Sequence, residues 1–238
     1  MPLFSRLGHV QFSWFGAADP NFDGLVRTIE GLSGSAASEI SRIGPPQSPV
    51  PLRRAAFVLN DAVFRVNSQP GRLDFNVAPA DAVFLNTFTM GRLDEFLWLF
   101  EELGTVYDSA FRQAIHVRVL TENLPPEEVA KTFRSVVGIK SDLGGSSDLL
   151  FQINRRMKKG DIDINRVLKW QGEIAQTFRF EGAPSQAVEE VSYLSYICDV
   201  NTVPHSSGRS ADEQRAIFAV LAEVTINVLG IENIGNFS

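Results

Sequence analysis

Residues 55–77 read AAFVLNDAVFRVNSQPGRLDFNV, and this stretch decides the fold class. Ala55 to Leu59 and Val63 to Val66 are short runs rich in β-branched and aromatic residues, and Asn60-Asp61 between them suits a tight turn. Pro70-Gly71 supplies the next turn, after which Leu73, Phe75 and Val77 alternate with Asp74 and Asn76. Two successive hairpins of this kind predict a three-stranded antiparallel meander.

Upstream, His9 to Phe15 alternates in the same way, with Val10, Phe12 and Trp14 on one face and Gln11 and Ser13 on the other. Asp19-Pro20 predicts a cap and first residue for a helix carrying Phe22, Leu25, Val26, Ile29 and Leu32, closed near Gly34. Residues 44–51, GPPQSPVP, are predicted to be a loop, because proline donates no backbone hydrogen bond. Downstream of the apolar run Val83 to Phe88, Met90 to Tyr107 reads as a helix with Leu93, Phe96, Leu97, Phe100 and Leu103 on one face.

The same order then recurs. Ile115, Val117 and Val119 mark a strand, with His116 and Arg118 opposite. Pro125-Pro126-Glu127-Glu128 opens a helix buried through Val129, Phe133, Val136 and Val137. Leu149 to Ile153 is a strand, the basic run RRMKKGD turns the chain, and Ile162 and Ile164 lead back. Lys169 to Phe180 and Val191 to Val200 are two further strands, and Ser210 with Glu213 forms a capping box before a final helix. The expectation is an α+β protein of two similar β-α-β(3-4)-α halves, residues 1–108 and 109–238. Each half would pack an antiparallel sheet on a long helix, the two forming one compact unit with an internal structural repeat. The element order is similar to that of the TATA-box-binding-protein type of fold, an analogy of topology that does not fix function.

The strand ending in Asp199-Val200-Asn201-Thr202, the polar break up to Arg209, and the terminal helix with Phe218, Leu221, Ile226 and Asn227 carry a family resemblance. They resemble a sporadically distributed bacterial family of uncharacterised proteins of about this chain's length. The resemblance implies no activity and no cofactor.

Composition excludes several classes. The chain has 238 residues, 44% hydrophobic and 21% charged, which suits a folded domain rather than a disordered one. No apolar run is long enough to span a bilayer, and the N-terminus does not read as a signal peptide. Cys198 is the only cysteine, so no intrachain disulfide forms, and a packed thiol in a reducing, cytoplasmic setting is expected. The net charge of −6 argues against nucleic acid and anionic membranes as partners.

Candidate sites are few. His9, His116 and His205 have no second ligand at metal-binding spacing, so no metal site is expected. Asp161 and Asp163, two residues apart on one strand face, read as partners of Lys158 and Lys159 rather than as a cation site. Gly144-Gly145-Ser146-Ser147 lacks the lysine and helix of a phosphate loop. Asp199, His205 and Arg209, with Asn201 and Thr202, are the candidates for a catalytic cleft. There Asp199 or His205 would transfer a proton and Arg209 would hold an anion. Arg155, Arg156, Lys158 and Lys159, with Arg166, Lys169 and the nearby Trp170, are the candidates for contact with phosphates and a base.

The reading favoured by these observations is a non-catalytic binding or assembly protein without a cofactor. Its final helix is apolar on several sides through Phe218, Ala222, Ile226 and Leu229, which predicts a homodimer or a protein partner. An enzyme with its cleft at Asp199–Arg209 and a nucleic-acid binder using the basic hairpin 155–169 are the alternatives.

Overall fold

A computed structural model describes residues 3–16, 21–43, 52–59, 61–80, 88–103, 109–143, 146, 148–179 and 186–230. The described elements are β1 (Arg6–Gly16), α1 (Phe22–Ser33), β2 (Glu39–Ile43), β3 (Leu52–Leu59), β4 (Ala62–Gln69), β5 (Arg72–Pro79), α2 (Leu93–Leu103), β6 (Ala110–Leu120), α3 (Pro126–Val137), β7 (Leu150–Lys159), β8 (Ile162–Arg179), β9 (Gln186–Thr202) and α4 (Ala211–Leu229). The strands form one nine-stranded sheet in the order β2-β3-β4-β5-β1-β6-β9-β8-β7. All neighbours in it are antiparallel.

This corrects the architecture expected from element order. There are not two halves, each with a sheet packed on a long helix in the TATA-box-binding-protein manner. β1 and β6 pair directly along Arg6↔Leu120 to Gly16↔Ala110, so the strands from both parts of the chain share one hydrogen-bonded sheet. The helices against it are short, from 11 to 19 residues.

The meander forms as its turns dictate. Val66 lies opposite Ala55 and Phe75, and Phe64 opposite Phe57 and Val77. Gly71 has φ +72°, which L side chains avoid, and a Cβ there would meet the Gly16 carbonyl oxygen at 3.1 Å. The β7–β8 turn falls at Gly160, φ +59°, so the basic run is strand as far as Lys159 rather than the turn itself. Asn21 caps α1, its Oδ1 accepting from the Gly24 amide at 3.0 Å. The expected cap at Asp19-Pro20, the loop 44–51 and the end of the expected helix, residues 104–107, lie outside the described residues.

The long apolar rows of the sheet point to one side, while Val58, Val63, Leu150, Val167 and Ile197 alternate to the other. Phe12 sits at the centre of this core, with ring centroids 3.8 Å from Trp14, 4.6 Å from Phe218 of α4 and 6.0 Å from Phe100 of α2. Trp170 stacks on Tyr196 at 4.9 Å and 10°, and the Tyr196 hydroxyl donates to the Val228 carbonyl in α4. α3 approaches β8 over Gly172, where a Cβ would stand 3.3 Å from Val129 Cγ1. α1 buries Phe22, Leu25, Val26 and Ile29 in the same cluster. All four helices therefore form one layer on one face. α4 buries Phe218 and Leu229 and half-buries Ala222, leaving Ile226 exposed, so its broad apolar surface is used within the chain and supplies no argument for a second copy.

Candidate binding face

Alternation obliges the remaining strand residues to point to the other side of the sheet, where no described helix packs. Strand by strand, that open face carries Glu39 and Ser41 on β2, Arg54 on β3, and Arg65, Asn67 and Gln69 on β4. β5 adds Arg72, Asp74 and Asn76, and β1 adds His9, Gln11, Ser13 and Phe15. β6 contributes Arg112, His116 and Arg118, and β9 contributes Asp199 and Asn201. Asn165, Lys169, Gln171 and Glu173 follow on β8, with Gln152, Asn154, Arg156 and Lys158 on the β7 edge.

Side-chain hydrogen bonds cross the strands. Gln11 donates to Ser13 Oγ at 2.9 Å and to Asp74 Oδ1 at 3.2 Å, and Ser13 donates to the same carboxylate. Asn201 donates to Asp199 at 2.8 Å, and Asn165 to Asn201 at 3.2 Å. Arg118 pairs with Glu173, which also accepts from Ser195 at 2.6 Å. Arg72 pairs with Asp74 at 2.8 Å. Phe15 lies between two guanidinium groups, Arg112 at 4.9 Å and Arg72 at 5.1 Å from its ring centroid.

Two histidines occupy the middle. His9 and His116 meet edge to face at 5.7 Å, and His9 Nε2 shares a 3.2 Å hydrogen bond with Asn76 Oδ1. Burial, then the neighbouring His116, pushes the His9 pKa down to about 4. Burial also lowers that of His116, against the attraction of Asp199 opposite it. Both rings are therefore neutral at pH 7. Among the described residues His116 Nδ1 and Arg112 Nε are buried without a hydrogen-bond partner.

None of the proposed catalytic residues lines either of the two cavities described. Asp199 lies on the open face. His205 is exposed in the following loop, its Nδ1 in hydrogen-bond range of the Ser207 carbonyl and its amide donating to Phe111. Arg209 is tied by its amide to Ala110 and, with His205, lies in the field of Glu213 at the start of α4. A cavity of about 520 Å³ does exist, lined by Val129, Lys131, Arg134, Leu143, Leu149 and Ile174 among others, but none of the three residues lines it.

The basic candidates divide between the two faces. Arg156 and Lys158 point to the open side, whereas Arg155 and Lys159 alternate to the helix side, where Lys159 pairs with Glu223. Trp170 is fully buried in the core, which corrects the expectation that it stacks a base. Asp163 faces Lys158 in register, and among the described residues no cluster of three or more potential metal ligands occurs. Cys198 is buried, and burial pushes its thiol pKa up. Of the glycine-serine loop only Ser146 is described; Gly144, Gly145 and Ser147 lie outside the described residues.

Arg54, Arg65, Arg72, Arg112 and Phe15 went unnoticed as site residues in the sequence. Their signal was the polar half of each alternation, as in Arg65-x-Asn67-x-Gln69, which reads as mere solvent exposure until the strands are aligned. No protein-family model and no curated protein matches the chain.

Proposed function

We propose that this is a non-catalytic binding protein whose partner seats on the open face of the nine-stranded sheet. One observation carries the reading: all four helices pack on one side, leaving the polar rows of nine strands uncovered by any described helix. A sheet face needs only water to be stable, so interlocked Gln11, Ser13, Asp74, Asn201 and Asn165 side chains are an ordered polar surface beyond what solvation demands. Asp199, His205 and Arg209 line neither of the two cavities described, so those cavities lend the enzyme alternative no support. No described helix is long and apolar enough to cross a membrane. The single buried cysteine favours a reducing compartment such as the cytoplasm.

Comparative affinity capture from cell extract tests the reading. The native chain and a control reversed on the helix layer (Arg27→Glu, Arg215→Glu) should retain the same material. A variant reversed on the open face (Arg65→Glu, Lys169→Glu) should lose it. Identical capture by all three would place the binding surface elsewhere.

A further inference from the structure

Resting on that binding face, we infer that its partner is a nucleic acid held through its phosphates. The net charge of −6 averages over two unlike surfaces. Among the described side chains the open face carries eight cations against five carboxylates, so this face is locally cationic although the chain as a whole is acidic. The opposite surface is separated from it by the sheet and a helix layer about 10 Å thick. That exceeds or matches the screening length of about 8–10 Å near physiological salt, so the far acidic charges do little to repel a polyanion on this side.

The cations are also distributed as a polymer requires. Asp74 and Glu173 are consumed by Arg72 and Arg118, and Asp163 faces Lys158. Arg54, Arg65, Arg112, Arg156 and Lys169 make no ion pair among the described residues. They run from β3 to β7 across seven strand spacings, about 34 Å. About ten base pairs of duplex cover the same length. Amides of Asn67, Gln152 and Gln171 interleave them and can meet bases or sugars. A protein partner would call instead for a contiguous core of aromatic and aliphatic side chains. The apolar residues of this face are split, Val58 and Val63 on β3 and β4 and Leu150, Val167, Tyr193 and Ile197 on β7 to β9, with the mostly polar and charged rows of β5, β1 and β6 between them, where Phe15 already lies between two guanidinium groups.

Fluorescence anisotropy with a labelled single strand of about 20 nucleotides, and with the matching duplex, tests this between about 50 and 200 mM salt. The native protein should bind with a log–log salt slope of magnitude about 3.5 on the single strand and about 4.5 on the duplex, as five phosphate contacts require. Arg65→Ala with Arg112→Ala should lower that slope by about two and weaken binding about tenfold or more, with the circular dichroism spectrum unchanged. Arg27→Ala with Arg215→Ala, both on the helix layer, should change neither. Absence of any complex at about 50 mM salt, or equal loss in the helix-layer variant, would overturn the inference. Face-dependent capture of a nuclease-resistant protein would sink the nucleic acid and leave the binding face standing. Blank results in both experiments would remove both.

Discussion

Trp170 and its neighbour Lys169 differ by one position and have opposite roles. The lysine is half-exposed on the open face, while the indole is fully buried and stacked on Tyr196 at 4.9 Å. Trp170→Ala should cost about 3–5 kcal/mol in urea unfolding, as deletions of large buried aromatics do, whereas Lys158→Ala should stay within about 0.5 kcal/mol. The two histidines make stability depend on pH. His9 titrates near 4 in the folded chain against an ordinary 6.5, so between these values the unfolded chain binds a proton that the folded chain refuses. Its contribution is complete above about pH 6.5 and declines as the solution is acidified towards pH 4. From pH 7 to pH 5 the loss from His9 should reach up to about 2 kcal/mol, and His116, shifted in the same direction, adds to it. Chemical denaturation at both pH values should show this loss shrinking in His9→Gln. An equal loss in that variant would assign the pH dependence to other groups.

At the scale of elements, α4 depends on its start. The Ser210 hydroxyl accepts from the Glu213 amide while Glu213 accepts from the Ser210 backbone, and that second bond is the main reason its carboxyl pKa is lowered. Ser210→Ala should lower stability by about 1 kcal/mol, read as a shifted denaturant midpoint at constant slope. The capping box was legible because it is a local pattern. So were the buried stripe of α3 and the turn at Gly71. The course of RRMKK was not: as a charged run it reads as a turn, yet it lies on an edge strand, where lysine and arginine discourage pairing with another chain. β2, only five residues long, carries too short an alternation to be noticed.

Across the whole molecule, β1 and β6 lie side by side near the middle of the sheet, and Phe12 of β1 packs on Phe218 of α4. Cutting the chain between residues 108 and 109 would leave both strands as raw edges and strip Phe12 of that partner. Unfolding of the intact chain should therefore be one cooperative transition, coincident by circular dichroism and tryptophan fluorescence. Fragments 1–108 and 109–238, made separately, should each lack a cooperative transition. Two resolved transitions in the intact chain would show instead that the parts fold independently.

The sequence by itself determined the type of most elements, the inward and outward sides of β1, β5 and β6, the capping box of α4, and the packing of Cys198. Those follow from periods of two and 3.6 and from short-range backbone chemistry, all contained within a few residues. Only the tertiary structure decided that β6 lies beside β1, that four helices share one face, and that His9, His116, Arg65 and Arg112 belong to one surface. Alternation says which residues of a strand share a side but not which strand comes next. Neighbour and register are chosen by contacts between residues as distant as Phe12 and Phe218, where packing rather than local pattern selects the arrangement.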